Sequence, residues 1–246
     1  DGVLAHPHRQ RAALDQLARL ADELAKLAAD TGRVVRVGLE PEPGCAVETT
    51  ADAVERLGGL GGDHLGMCLD TCHLATAFED VSAAVAELTR AGLPVVKMQC
   101  SAALHVPTPS DQATRTALAA FAEDRFLHQV RERSTNRLLG CDDLPDALDG
   151  SQPLPGQSAW RVHFHIPVHT EPAAPLQSTR GELAAALGTM VGGDFFFNDT
   201  ATTEIYTWSV LPPDQRPDDE RALVAGLAAE LSWIRDQLSD LGLEPL

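Results

Sequence analysis

Three times in its first hundred residues the chain writes the same pattern: a helix, a short apolar run, then ionisable side chains where the run stops. Leu14, Leu17, Leu20, Leu24 and Leu27 recur at helical spacing, and Thr31-Gly32 closes that helix. Residues 34–39 are rich in valine and end at Glu40-Pro41-Glu42-Pro43-Gly44. Proline cannot donate to a sheet ladder, so the strand stops at about Glu40. Thr49-Thr50 caps a helix through Leu57, residues 64–69 read as a buried strand, and Asp70-Thr71-Cys72-His73 closes it. Residues 81–88 are helical, Gly92 ends them, and residues 95–100 form a third strand closed by Ser101.

Glu40 to Asp70 is 30 residues and Asp70 to Gln99 is 29, about the length of one strand–helix unit. Such a repeat predicts an α/β fold with a parallel sheet. Further on, a polar stretch that includes residues 121–133 reads as helical, and residues 160–166 form a fourth strand stopped by Pro167. A helix near 181–187, a fifth strand at 204–210 and a final amphipathic helix at 223–241 complete the expectation. In parallel sheets and barrels the C-terminal edge of the strands carries the site. No glycine-rich loop follows any strand, since the cluster at Gly59, Gly61 and Gly62 comes after a helix, so no nucleotide cofactor is expected.

The strand ends present Glu40, Asp70 with His73, Gln99 with Ser101, and His163 with His165, and the fifth presents Glu204. Carboxylates beside imidazoles suit a divalent ion such as Mn, Mg, Co or Zn. The two-residue period of a strand sends His163 and His165 the same way and places Gly38 and Cys68 beneath Glu40 and Asp70. Each residue also has a plain structural reading. Glu40 and Glu42 sit in a proline-flanked turn, Asp70 is a natural helix cap, and buried histidines bond backbone carbonyls. Lys97 is an inward residue with a local partner or, less simply, a Schiff-base lysine.

The chain has 246 residues with 19 basic against 36 acidic, a formal charge of −17. A basic face is what phosphate backbones and anionic lipids need, so neither nucleic acid nor a membrane surface is an expected partner. No apolar run has the length of a membrane span, so membrane insertion is not expected. Five cysteines at irregular spacing fit a reduced, cytoplasmic setting. Two lysines beside seventeen arginines, in an alanine- and leucine-rich chain, fit a GC-rich bacterial genome.

Leu39-Glu40-Pro41-Glu42-Pro43-Gly44 and Leu69-Asp70-Thr71-Cys72-His73 resemble the xylose isomerase-like TIM barrels, which include sugar phosphate isomerases and epimerases. Six blocks in order narrow this: L-E-P-E-P-G with E-T-T, C-x-D-T-C-H, K-M-Q-C-S-A-A-L, F-L-H-Q-V, W-R-V-H-F-H-I-P and Y-T-W-S-V-L-P. Together they are similar to the EboE-type metabolite traffic proteins. The resemblance implies a (β/α) barrel and a small polar, sugar-like metabolite at its C-terminal rim. It also implies a metal set of Glu40, Asp70, His165 and Glu204. Proton transfer next to a carbonyl would use Glu40 or Glu204 as the base, with a divalent ion polarising the oxygen. His73, Lys97, Gln99, Ser101 and His163 would contact substrate. The place of the pattern's later histidine falls to Gln99 in the third strand, which departs from conventional epimerase chemistry, or else His163 or His165 supplies the imidazole. A barrel that binds without turnover is the alternative, and a metal-dependent hydrolase is a weaker third.

Residues 194–207, DFFFNDTATTEIYT, break the composition. They hold one of two asparagines, one of three isoleucines, the tyrosine and three of seven phenylalanines. The string resembles a translated sequencing adapter, so Glu204 and Tyr206 match the pattern by position. The chain starts at Asp1, and its strands match the later part of the family pattern. A single barrel domain lacking its first strands is therefore expected. Leu227, Leu231 and Trp233 read as core-facing on the last helix, and the sequence leaves oligomeric state open.

Overall fold

The computed structural model describes residues 6–135, 137–150, 153–192, 197, 200–204 and 206–244. In chain order the elements are α1 (Pro7–Thr31), β1 (Val37–Leu39), α2 (Thr50–Leu57), β2 (Leu65–Asp70), α3 (Thr71–Thr76), α4 (Val81–Arg90) and β3 (Val95–Cys100). Then follow β4 (Ala103–Val106), α5 (Gln112–Ala119), β5 (Val130–Ser134), β6 (Arg137–Cys141), α6 (Leu144–Asp149) and β7 (Trp160–His165). The last are β8 (Gln177–Ser178), α7 (Arg180–Gly192), β9 (Thr200–Thr203), a 3-10 turn (Tyr206–Ser209) and α8 (Glu220–Asp240).

The helix ends follow from their residues. Gly32 takes φ +68 and returns its N–H to Ala28, the left-handed closure that glycine accepts without strain. Thr49 caps α2 in a reciprocal box, its hydroxyl receiving the Asp52 N–H while the Asp52 carboxylate receives the Thr49 N–H. Asp70 caps α3 through the His73 N–H.

β1, β2, β3 and β9 form a parallel sheet in that order. Its register pairs Cys68 with Lys97, Asp70 with Gln99, and Gln99 with Thr202. Strand alternation therefore gives one face Cys68, Asp70, Lys97, Gln99 and Thr202, and the other face Met67, Leu69, Met98 and Cys100. The apolar face packs with Ala53 and Leu57 of α2, Val85 and Leu88 of α4, Leu183 and Leu187 of α7, and Ile234 of α8. Met67 and Met98 are almost wholly buried there, and each such side chain stabilises by about 1.5–3 kcal/mol. A Cβ on Gly38 would lie 3.1 Å from Cys68 Cβ, so glycine is what lets β1 approach β2 on the polar face.

The second sheet runs β6-β5-β7-β4-β8, with every pairing antiparallel. It encloses its own core of Leu104, Leu118, Phe121, Leu144, Trp160, Val162 and Phe164. Phe121 and Phe164 meet edge to face at 5.2 Å.

On α8, Leu231 is 59 % exposed and not core-facing, and three expectations of strand and helix change as well. The 160–166 strand is present as β7, but it pairs antiparallel with β4 and β5 and not beside β3. Residues 121–133 are not a helix: a turn-rich segment leads into β5, whose Val130 and Glu132 alternate with Arg131 and Arg133 on a hairpin with β6. The expected strand at 204–210 ends before it starts. The threonine-rich β9 carries the β-branched residues that favour extended chain, and Glu204 follows it, before the 3-10 turn. The described strands thus make two sheets and not one closed ring. Phe195 and Phe196 lie outside the described residues. No helix among the described residues is long and apolar enough to cross a membrane.

Candidate functional site

α3 is wedged between the two sheets, with all six of its residues buried. It carries His73 from the end of β2 to the polar face of β7. On β7 the alternation is sharp: Trp160, Val162 and Phe164 enter the second core, while Arg161, His163 and His165 face α3. Imidazole centroids of His73 lie 4.6 Å from His163 and 5.5 Å from His165. The two sheets thus meet in one polar cluster, and His163 and His165 point the same way, as the strand period requires.

The carboxylates come from the C-terminal ends of β1, β2 and β9, with β3 and its Gln99 between the last two. Ligand oxygens of Glu40, Asp70 and Glu204 lie within 4.8 Å of one another. Atoms of Asp70, His73 and His165 form a second such group, and those of Cys72, His163 and His165 a third. Asp70 is buried, its Oδ1 receiving the Ser101 hydroxyl at 2.7 Å and the His73 N–H at 3.0 Å. Its Oδ2 has no hydrogen-bond donor among the described residues. Ser101 also accepts the Cys72 N–H at 2.9 Å, so it braces the Asp70 turn from below and does not line the pocket.

Protonation follows from this crowding. Burial, then the neighbouring Asp70 and Glu40 charges, push the Glu204 carboxyl up to about 8. Burial would also raise Asp70, but His73, His165 and the Ser101 and His73 hydrogen bonds outweigh it and hold Asp70 below the usual range. Burial lowers His165 to about 4 and His163 well below its ordinary value. Near neutral pH the site therefore pairs an ionised Asp70 with a proton-holding Glu204 and with neutral His163 and His165. His163 Nδ1 donates to Gln129 Oε1 at 2.7 Å, which leaves Nε2 as the bare lone pair, buried and without a hydrogen-bond partner among the described residues. A histidine oriented this way is poised to ligate.

Gln99 lies at the centre. Its Nε2 donates to Glu40 Oε1 at 2.6 Å and to Glu204 Oε2 at 3.1 Å, while its Oε1 receives Lys97 Nζ at 3.0 Å. Lys97 is thus engaged with the site through Gln99.

Above the cluster opens a pocket of about 350 Å³ lined by Glu40, Glu42, His73, Phe126 and Glu204. Sequence reasoning placed Glu42 in a surface turn and passed over Phe126. The segment bearing Phe126 is clasped by Glu123, which receives the Phe126 N–H at 3.0 Å, the Arg125 N–H at 2.8 Å and His128 Nε2 at 2.9 Å. His128 Nδ1 in turn donates to the His163 carbonyl at 3.0 Å. The F-L-H-Q-V block, noticed as a string, is therefore a strut joining pocket wall to site floor. Its visible signal was three chemistry-bearing residue types within four positions.

No curated protein and no solved structure matches the chain. One family model does, over residues 2–128, and that span takes in α1 through α5, with Glu40, Asp70, His73, Gln99 and Phe126. The chain belongs to the xylose isomerase-like TIM barrel family.

Proposed function

We propose that this protein handles a small, sugar-like metabolite by metal-assisted proton transfer next to a carbonyl. The observation that carries the reading is the convergence of Glu40, Asp70 and Glu204 oxygens within 4.8 Å at the strand ends of one sheet. The residues fit a divalent cation: Asp70 Oδ2 is buried without a donor among the described residues, and burial beside the Asp70 and Glu40 charges drives Glu204 to hold a proton. Glu40, Asp70 and Glu204 would hold the ion, with His165 Nδ1 3.6 Å from Glu204. When bound, the ion supplies neutralising charge and polarises a ligand oxygen.

The remaining chemistry belongs to the side chains. Without the ion, Asp70 stays ionised while burial and its carboxylate neighbours keep a proton on Glu204, a proton that a bound cation would displace. Glu204 and Glu40 both line the pocket and can exchange a proton with a ligand carbon. His73 Nδ1 donates to the Pro41 carbonyl at 2.9 Å, which fixes the imidazole at the pocket wall. The described lining contains no lysine or arginine. A phosphate dianion among carboxylates is repelled, so the ligand is an unphosphorylated polyhydroxy compound with a carbonyl. Phe126 offers an apolar wall to its C–H face.

The six ordered sequence blocks support a finer placement among EboE-type metabolite traffic proteins. Glu40 and Asp70 anchor the reading, because both lie outside the 194–207 string, which we propose is foreign sequence. A corrected gene that keeps a glutamate two residues before the Y-T-W block keeps the role of Glu204. The Gln99 amide, satisfying Glu40 and Glu204 without any ion, favours a second reading in which the barrel binds without turnover.

The experiment is solvent deuterium exchange into unphosphorylated pentoses and hexoses, followed by NMR with Mn²⁺ present. Exchange next to the carbonyl is expected, with loss in Glu40→Gln while the circular dichroism spectrum is kept. Sugar binding without exchange selects the second reading. Exchange retained in Glu40→Gln removes Glu40 from the chemistry.

A further inference from the structure

The amide of Gln99 faces the carboxylates with its wrong end for a cation. An amide ligates through oxygen, whereas its NH₂ group carries hydrogens that a cation repels. Here the NH₂ lies 2.6 Å from Glu40 Oε1 and 3.1 Å from Glu204 Oε2, on two of the three carboxylates that converge. A cation that takes these oxygens must displace that NH₂.

The cause of the orientation is two residues away. Lys97 and Gln99 share the polar face of β3, and Lys97 Nζ donates to Gln99 Oε1 at 3.0 Å. An ammonium is a donor with no acceptor, so it can hold the oxygen end of the amide and not the nitrogen end. With Oε1 drawn to Lys97, the NH₂ is turned to the carboxylates. Release of Oε1 would let the amide turn by half a revolution and add a fourth oxygen to the three carboxylates. An all-oxygen set of that kind suits a hard cation such as Mn²⁺ or Mg²⁺ over Zn²⁺.

We propose that Lys97 and Gln99 form a latch on the metal centre, in which Lys97 sets the amide orientation and thereby the affinity for a hard divalent cation. The inference rests on the reading that Glu40, Asp70 and Glu204 hold such a cation. Lys97 is a positioning residue here, since it acts through Gln99. This gives its position a use that needs no covalent chemistry at the amine. It also gives an amide at this place a use: the amide has two ends, and its neighbour chooses between them.

A double-mutant cycle on the full chain separates the latch from plain charge. Mn²⁺ is titrated at constant pH and salt into the parent, Lys97→Met, Gln99→Ala and the double variant, with free ion read by electron paramagnetic resonance. Lys97→Met is expected to bind Mn²⁺ about tenfold tighter than the parent, the scale of a partner that orients a metal ligand. In the Gln99→Ala background the same change is expected to shrink to about threefold or less, the part owed to lost positive charge alone. Lys97→Arg, which keeps charge and donor, is expected to stay within about threefold of the parent. An equal effect of Lys97→Met in both backgrounds overturns the latch and leaves the metal centre standing. So does tightening in Lys97→Arg that equals that of Lys97→Met. Failure of Mn²⁺ to bind the parent and every variant at millimolar concentration overturns the metal centre itself, and the latch with it.

Discussion

Asp70 and Glu132 are each 1 % exposed, yet they belong to opposite kinds of structure. Glu132, on β5 of the antiparallel sheet, receives four N–H groups: Gly156 at 2.8 Å, Gln157 at 2.9 Å, Ser158 at 3.0 Å and the Trp160 indole at 2.8 Å. Both of its oxygens are engaged, and the carboxylate organises the loop that leads into β7. Asp70, on β2 of the parallel sheet, has one oxygen engaged and the other buried without a donor, within reach of two further carboxylates. Burial is equal and satisfaction is not. A buried acid whose lone pairs are filled by the protein serves the fold, and one left incomplete beside like charges keeps capacity for something the chain does not itself supply.

The comparison breaks most easily at Glu132. Glu132→Ala leaves four donors without their acceptor, two of them on the buried Gly156 and Trp160, and is expected to lower unfolding free energy by roughly 3 kcal/mol or more. Asp70→Asn keeps an acceptor for the helix cap and removes the charge that crowds Glu40 and Glu204, so its stability is expected within about 1 kcal/mol of the parent. Urea unfolding measures both, and Mn²⁺ titration of the folded variants should show the reverse ranking. Lost Mn²⁺ affinity in Glu132→Ala with unchanged stability would exchange the roles assigned to the two residues.

Acid sharpens the contrast next. His163 and His165 are held neutral by burial, His165 down to about 4, whereas an unfolded histidine titrates near 6.5. The unfolded chain therefore binds more protons than the folded one throughout that window. Stability contributed by these rings is complete above pH 6.5 and is lost as pH falls towards 4. Each such ring can add a slope of about 1.4 kcal/mol per pH unit in the middle of the window. Unfolding free energy measured from pH 7 to 5 is expected to fall, and His163→Asn should flatten the curve. An unchanged slope in that variant would mean that His163 is charged in the folded state.

How much of this was legible beforehand depended on range. The repeat that ends in Glu40, Asp70 and Gln99 is local and periodic, and the parallel sheet built from it follows the spacing, down to the strand at Val95–Cys100. The alternation in W-R-V-H-F-H placed His163 and His165 on one face, which β7 keeps. The partner of that strand was not legible, because antiparallel pairing with β4 and β5 is set by contacts 25 or more residues away in most of the ladder. β4, β6 and β8 are short and escaped notice for the same reason. The segment 121–133 misled because a polar run without clear alternation suits a helix as well as a loop, and the Glu123 clasp that decides the matter is a tertiary arrangement. At the site, residue types were visible, but the orientation of the Gln99 amide was not, since it depends on which neighbour faces which atom.

The smallest expected effect on the fold belongs to the pocket wall. Phe126 is 38 % exposed, so its truncation removes little buried area, and Phe126→Ala is expected to change stability by less than about 0.5 kcal/mol. Its position over an acid-lined pocket predicts a different cost. Affinity for unphosphorylated sugars, measured by calorimetry, should fall about five- to tenfold, as loss of one apolar contact wall implies, while Mn²⁺ affinity stays level. Glu123→Gln offers the finer cut. The neutral amide can still receive one N–H but gives up the charge-assisted contact with His128, so the segment loosens without losing its ring. A fall in sugar affinity in the same direction and of smaller size places the effect in the positioning of Phe126. An unaltered affinity in both variants would leave sugar recognition to the carboxylate side of the pocket, and with it the whole functional difference between the two sheets.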